Sequence, residues 1–263
     1  MQVVQACIIG LAAGLSAIAF ENGVFWLGQL RSYLCTLAPA LLVLPGVGLL
    51  GGLLSGFLVQ RFSPTAYGSG IPQVRAFILG AKLPLDLGVA FIKLIAGSIA
   101  LGSGLFLGRE GPTVHMGAAI AAHLNSYFPS SPQRTRQLVA AGAGAGLAAA
   151  FNAPLAGVFF VIEELLKDVS TATVGTALTA CFVASVATHI FNAPHVEPSR
   201  QIAALPVSFA PHDLLFWVLL GAAAGVIGVV FNRGILLSLK FYRELLAPLP
   251  LTLRVGLAGL VSG

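Results

Sequence analysis

An apolar run at residues 85–107 leads directly into two adjacent opposite charges, framed as Gly108-Arg109-Glu110-Gly111-Pro112. No other feature restricts the possible folds as strongly. A bilayer crossing takes about 20 apolar residues, so the run is long enough to span. Charge beside such a run is expensive and marks a functional site by default. Glycine opens backbone conformations closed to other residues, and proline is at home in the first turn of a helix. The stretch predicts a broken helix. One segment ends near Gly108, and another begins around Pro112 with its free N–H groups beside a carboxylate.

Composition carries this from one segment to the whole chain. Of 263 residues, 57% are hydrophobic and 9% charged, against roughly 25% charged in a soluble domain. That excludes a soluble globular protein and predicts an all-α, polytopic, multi-pass membrane protein in a lipid bilayer. Thirty-one glycines fit the same class, because small residues let membrane helices approach closely. The net charge of +5 comes from basic residues scattered singly, which argues against a nucleic-acid partner. Cys7, Cys35 and Cys181 are far apart and give neither a disulfide framework nor a zinc site. His115, His123, His189, His195 and His212 lack metal-ligand spacing. No metal, no cofactor and no enzymatic activity are expected. Met1 leads into apolar sequence without a basic n-region, so no signal peptide is expected. The last apolar run, 255–263, is too short to span. Both ends look cut, which suggests a fragment of a longer chain.

Further spans are expected at 3–30, interrupted by Glu21, at 38–59, at 171–191 and at 214–231. The piece at 71–79 is too short to cross and suits a re-entrant half-helix. Residues 125–137 read as a hydrophilic loop. Residues 138–166 are rich in Ala and Gly but broken at Phe151-Asn152-Ala153-Pro154. A Pro-rich linker follows at 192–213, carrying only Arg200 as a basic residue. The amphipathic stretch at 232–254 carries Arg233, Lys240, Arg243 and Arg254. The positive-inside rule puts the linker outside and the later stretch in the cytoplasm. Gly10, Gly14, Phe20 and Gly23 share their spacing with Gly221, Gly225, Phe231 and Gly234. This reads as two similar packing faces rather than a repeat.

Three places share one grammar of flexible residues, then proline, then a short apolar helix. They are Gly68-Ser69-Gly70-Ile71-Pro72, the Arg109–Glu110 break, and Asn152-Ala153-Pro154. Irregular backbone inside a membrane is tolerated where it lines a cavity or is buried in protein. Helix N-termini offer unpaired N–H donors and partial positive charge, so they hold anions without a full cation. Several such ends converging at mid-membrane would make a pathway for a small anion. Ser69 is either an N-cap or a hydroxyl donor to that anion. Glu110 is either a dipole-stabilised acid or a tethered anion that occupies the site, leaving when protonated. Arg109 reads as a structural charge that anchors the bend or pairs with an acid. Lys93 either supplies positive potential or snorkels. Glu163 and Glu164 end a membrane helix together. Lys167 lies four residues after Glu163, a favourable spacing, and Asp168 four after Glu164, an unfavourable one.

Together these motifs resemble the CLC family of chloride channels and chloride/proton antiporters. The resemblance rests on GSGIP at 68–72, GREGP at 108–112, Lys93 seventeen residues before Glu110, and GLAAAFNAPLAGVFFVIEE at 146–164. It implies that residues 1–263 are the first half of that family's inverted-repeat core, a voltage-gated chloride channel transmembrane domain with broken and re-entrant helices. It implies chloride binding by Ser69, Gly70, Ile71, Arg109, Glu110 and Gly111, with Lys93 supporting the electrostatics. Glu110 would be the external gate and Glu164 the internal proton acceptor. Ser69, rather than proline, resembles chloride-preferring members. A homodimer in the cell's inner membrane is implied, with chloride ion and protons as the transported species. The second half's GxFxP motif and central tyrosine are absent, so a complete pore is not expected from these residues alone. Where some bacterial antiporters carry an acid near the internal glutamate, this sequence has Arg75, which bears on proton uptake. The expected function is chloride/proton antiport. The alternatives are a passive gated chloride channel and a non-transporting membrane assembly partner.

Overall fold

The computed structural model describes residues 2–128, 131–191, 213–246 and 248–262. Every regular element among them is helical. The chain forms α1 (Gln2–Leu37), α2 (Ala40–Phe62), α3 (Ile71–Ile78), α4 (Leu87–Gly102), α5 (Glu110–Ser126), α6 (Pro132–Phe151), α7 (Pro154–Phe160), α8 (Thr171–Ile190), α9 (Asp213–Leu246) and α10 (Leu251–Ser262). A π-helical segment, Val161–Leu166, continues α7. Among the described residues, four stretches are long and apolar enough to cross a membrane: Gln2–Leu37, Ala40–Phe62, Thr171–Ile190 and Asp213–Lys240. The chain is an integral, multi-pass membrane protein with short and interrupted helices between its long ones.

Two compact units are present, one comprising Met1–Pro194 with Leu251–Gly263 and the other His195–Pro250. The first holds the core. Residues 111–121 of α5 and 137–146 of α6 are buried without a break. Their sequence explains how they pack. A methyl group on Gly117 would overlap the Gly142 carbonyl, and one on Gly146 would overlap the Thr113 carbonyl. α1 meets α8 in the same manner, with Gly10 against Ala180 and Gly14 against Ala184. Within a bilayer apolar side chains gain little by leaving lipid, so close backbone packing of small residues does the joining. The second unit consists largely of α9, which is apolar and exposed over residues 214–240.

The structure moves several expected boundaries. The run at 85–107 is not helical throughout: α4 is 16 residues long. The chain leaves the helix at Ser103 and runs non-helically to Gly108. Gly104, at φ +110°, makes the turn against the Arg31 guanidinium. α5 begins at Glu110, before the expected start at Pro112, so the carboxylate lies inside the first turn. The expected loop at 125–137 is mostly helical. Ser131 caps α6 by accepting a hydrogen bond from the Arg134 amide at 3.3 Å, and Pro132 opens the helix. Those two residues are a helix-start signal that outweighs the local polarity. Asp213–Leu246 is one helix, where a span and a separate amphipathic stretch were expected. Pro129 and the linker, with His195, Arg200 and His212, lie outside the described residues.

Candidate functional site

The site is built where two of the three interrupted helix starts meet. α3 opens with Gly70 in the left-handed region at φ +93° and Pro72 in its first turn. α5 opens with Glu110 and Gly111. A methyl group built on Gly111 would lie 2.5 Å from the Ser69 carbonyl oxygen and 2.9 Å from the Ser69 Cβ. Two motifs 40 residues apart in sequence are therefore in direct contact, and only glycine at 111 permits it. His115, the next turn along α5, packs its ring against Gly70, with Nδ1 2.5 Å from where a Gly70 methyl would sit. The ring is fully buried, and neither nitrogen has a hydrogen-bond partner among the described residues. The serine loop is thus wedged between the first two turns of α5.

Lys93 supports that loop from behind. It lies on α4, is 5% exposed, and its Nζ donates to the Ala66 carbonyl at 2.8 Å and to the Gly68 carbonyl. It does not snorkel: the ammonium ends on backbone oxygens immediately before Ser69. A second clamp holds the other motif. Arg109 Nη1 donates to Glu21 Oε1 at 3.4 Å, tying the start of α5 to the middle of α1. Glu21 is nearly buried, which accounts for an acid in the middle of a 36-residue apolar helix. Thr113 Oγ1 donates back to the Arg109 carbonyl at 3.2 Å and to the Glu110 carbonyl at 2.9 Å, bracing the first turn. The Glu110 carboxylate folds back over Gly108, with Oε2 2.1 Å from where a Gly108 methyl would sit.

Glu164 sits apart from this assembly. It lies in the π-helical segment, half exposed, and its Oε1 accepts from Arg75 Nη1 at 3.0 Å. The four-residue spacings expected around the two glutamates do not apply. The segment is π-helical and ends with Lys167 in the left-handed region at φ +53°, so neighbours are displaced from α-helical register. Asp168 turns to α8 instead. It accepts from Thr173 Oγ1 at 2.7 Å and from Ser170 Oγ at 2.7 Å. These hydrogen bonds, the Thr173 one foremost, hold its carboxyl below the usual aspartate range. The third break also faces α8: Asn152, at φ +52°, accepts from Ser185 Oγ at 2.8 Å. Among the described residues no group of three or more His, Cys, Asp or Glu could hold a metal ion.

This geometry has relatives. A family model described as "Voltage gated chloride channel" matches residues 51–263. The chain belongs to that family. It is 36% identical over 249 residues to the H(+)/Cl(-) exchange transporter ClcA of Vibrio cholerae serotype O1, covering 90% of this chain and 53% of the relative. It is 38% identical over 239 residues to the protein of that name from Yersinia pseudotuberculosis serotype IB, covering 88% and 49%. The fold superposes on a slow cyanobacterial Cl-/H+ antiporter with a TM-score of 0.81 and 32% identity, covering 99% of this chain and 63% of that one. A eukaryotic CLC transporter gives a TM-score of 0.78 at 26% identity, covering 99% and 47%. The chain spans about half the length of the curated relatives it matches.

Within this CLC chain, the structure brings together Ser69, Gly70, Ile71 and Gly111, with Lys93 beneath and Arg109 and Glu110 alongside. It leaves Glu164 and the Asn152 break elsewhere. Two residues of the assembly were not singled out for it in the sequence. Glu21 carried a signal, since an acid in an apolar helix calls for a partner, but nothing in the sequence says that Arg109 is that partner. His115 gave no such signal, because its place under Gly70 depends on how α3 and α5 pack.

Proposed function

We propose that this chain supplies one wall of a chloride path in a chloride/proton antiporter of the inner membrane. The contact between Ser69 and Gly111 carries the reading. It sets the open ends of two helices against one another, each with unpaired N–H groups in its first turn. Between them a small anion would meet the Ser69 hydroxyl and the backbone amides of Gly70, Ile71, Arg109, Glu110 and Gly111. The Lys93 ammonium is bound to backbone carbonyls, so it adds positive potential without forming a contact ion pair that would trap the anion. Glu110, tethered at one of these helix ends, competes with chloride for the same donors while it is charged. Protonation releases it, and the anion takes its place. Glu164 accepts the proton on the other side. The relatives' names support the exchange of chloride for protons, and the family resemblance supports a homodimer.

Liposomes carrying the protein as its own gene encodes it test this directly. An imposed chloride gradient should drive protons in the opposite direction. Glu110→Gln should abolish that movement and leave chloride flux running. A gradient that moves chloride without protons would rule out antiport in favour of a passive gated channel. No chloride movement at all would leave a membrane assembly partner.

A further inference from the structure

The Arg75–Glu164 ion pair joins the candidate proton acceptor to the helix that follows the anion loop. α3 is eight residues long, and its ends do different things. Ser69 and Gly70 precede its first turn and touch α5, while Arg75, four residues past Ile71 and so about 6 Å along the axis, reaches Glu164. The helix is seated firmly, with Val74 fully buried and Ile78 4% exposed. Glu164's own element is less regular, because a π-helical turn is a marginal structure that often accompanies function. The pairing is also selective. Of the neighbouring charges, Asp168 is committed to Ser170 and Thr173 on the α8 side, and Gln137 donates to that same Thr173 at 3.1 Å. Arg134, on α6, donates to Gln5 of α1. Arg136, also on α6, lies beside Gly80, past the end of α3. Glu163 and Lys167 are exposed on Glu164's own segment. Among the described residues, Arg75 is the cation in contact with the Glu164 carboxylate, and both side chains are roughly half exposed.

We propose that Arg75 is a positioning residue for Glu164, a clasp that must open before Glu164 takes up a proton. The inference rests on the antiport reading above. In the closed clasp one carboxylate oxygen is held by the guanidinium. On opening, a proton from the aqueous side bonds to the carboxylate, and the guanidinium keeps its charge and turns to water. Because the pair is exposed, its hold is weak and screened by salt. It acts as a brake on proton loading, not a block.

The test is chloride-driven proton movement in liposomes carrying the protein as its own gene encodes it, with Arg75→Gln, Arg75→Lys, Glu164→Gln and the Arg75→Gln/Glu164→Gln pair. Arg75→Gln should raise proton movement about two- to fivefold at low ionic strength, the range open to an exposed pair. The gain should shrink as impermeant salt is added, and Arg75→Lys should restore most of the brake. Glu164→Gln should stop proton movement, and adding Arg75→Gln to it should leave chloride flux unchanged. Unaltered proton movement in Arg75→Gln, with Glu164→Gln still abolishing it, overturns the clasp and leaves antiport standing. Changes in chloride flux from Arg75→Gln that persist without the Glu164 carboxylate assign Arg75 to helix support and overturn the clasp. Proton movement that survives Glu164→Gln removes Glu164 from the proton path, and the clasp with it.

Discussion

Gly111 shows how much can depend on one missing methyl group. Its Cα faces the Ser69 carbonyl and Cβ, so Gly111→Ala forces the two helix starts apart against backbone atoms that cannot rotate away. Overpacking of this kind costs about 1–3 kcal/mol. The expected outcome is a lower melting temperature in detergent together with weaker chloride binding by calorimetry. A variant that binds chloride as the parent does would show that the anion does not use this junction. Lys93 gives a second case. Lys93→Met keeps the apolar stem but leaves the Ala66 and Gly68 carbonyls without their donor. Stranding the buried Ala66 acceptor costs about 1–3 kcal/mol, and proteolysis between residues 63 and 70 should speed up as the loop loosens. Unchanged cleavage in that loop would mean that Lys93 contributes only its charge.

Among elements, α5 and α6 are drawn together at backbone distance. Gly142 lies on the Gly117 carbonyl at 2.5 Å from a built methyl, and against the Ala121 Cβ. Alanine improves helix propensity over glycine by up to about 1 kcal/mol, but the steric overlap acts on backbone and outweighs it. Gly142→Ala should therefore lower thermal stability in detergent, and a rise would disprove the close packing. The turn into α8 gives a pH-dependent case outside the spans. Hydrogen bonds from Thr173 and Ser170 depress the Asp168 carboxyl below its ordinary 3.8. A depressed acid contributes stability that is present above its unfolded value and lost as pH falls through the folded one. Hydrogen exchange at the first turn of α8 should quicken on acidification below about pH 4. Asp168→Asn should remove that acid-side step, and retention of the step would assign it to another group.

At the scale of the whole molecule, the charges beside the helix breaks are tied across elements. Glu21, Lys93 and Arg109 are each held by a partner on another element, so the charged groups brace the interrupted backbone without facing lipid unpaired. Large apolar side chains such as Trp26, Leu41 and Phe159 lie on the outside, as a bilayer or a second subunit requires. Single-molecule photobleaching of the labelled protein in liposomes should show two steps per particle, the count of a homodimer. A uniform single step would exclude that assembly.

The sequence by itself determined the class of the protein and the places where its helices break. Apolar runs of about 20 residues suit a membrane helix, which satisfies its own backbone hydrogen bonds, and Gly-x-Gly-x-Pro or Gly-x-x-Gly-Pro interrupts a helix by local sterics alone. It also marked Ser69, Lys93, Arg109, Glu110 and Glu164, because polar groups are conspicuous in apolar surroundings. Local signals misplaced the end of α4 and the start of α6, where Gly104 against Arg31 and the Ser131 cap set the boundary. The tertiary structure alone decided who meets whom. Ser69 touches Gly111, Arg109 takes Glu21, Lys93 takes two carbonyls and Glu164 takes Arg75, each across dozens of residues. A charge in an apolar helix demands a counterpart, but which one it finds depends on helix packing. Here that packing is set by the approach of glycine-lined backbones.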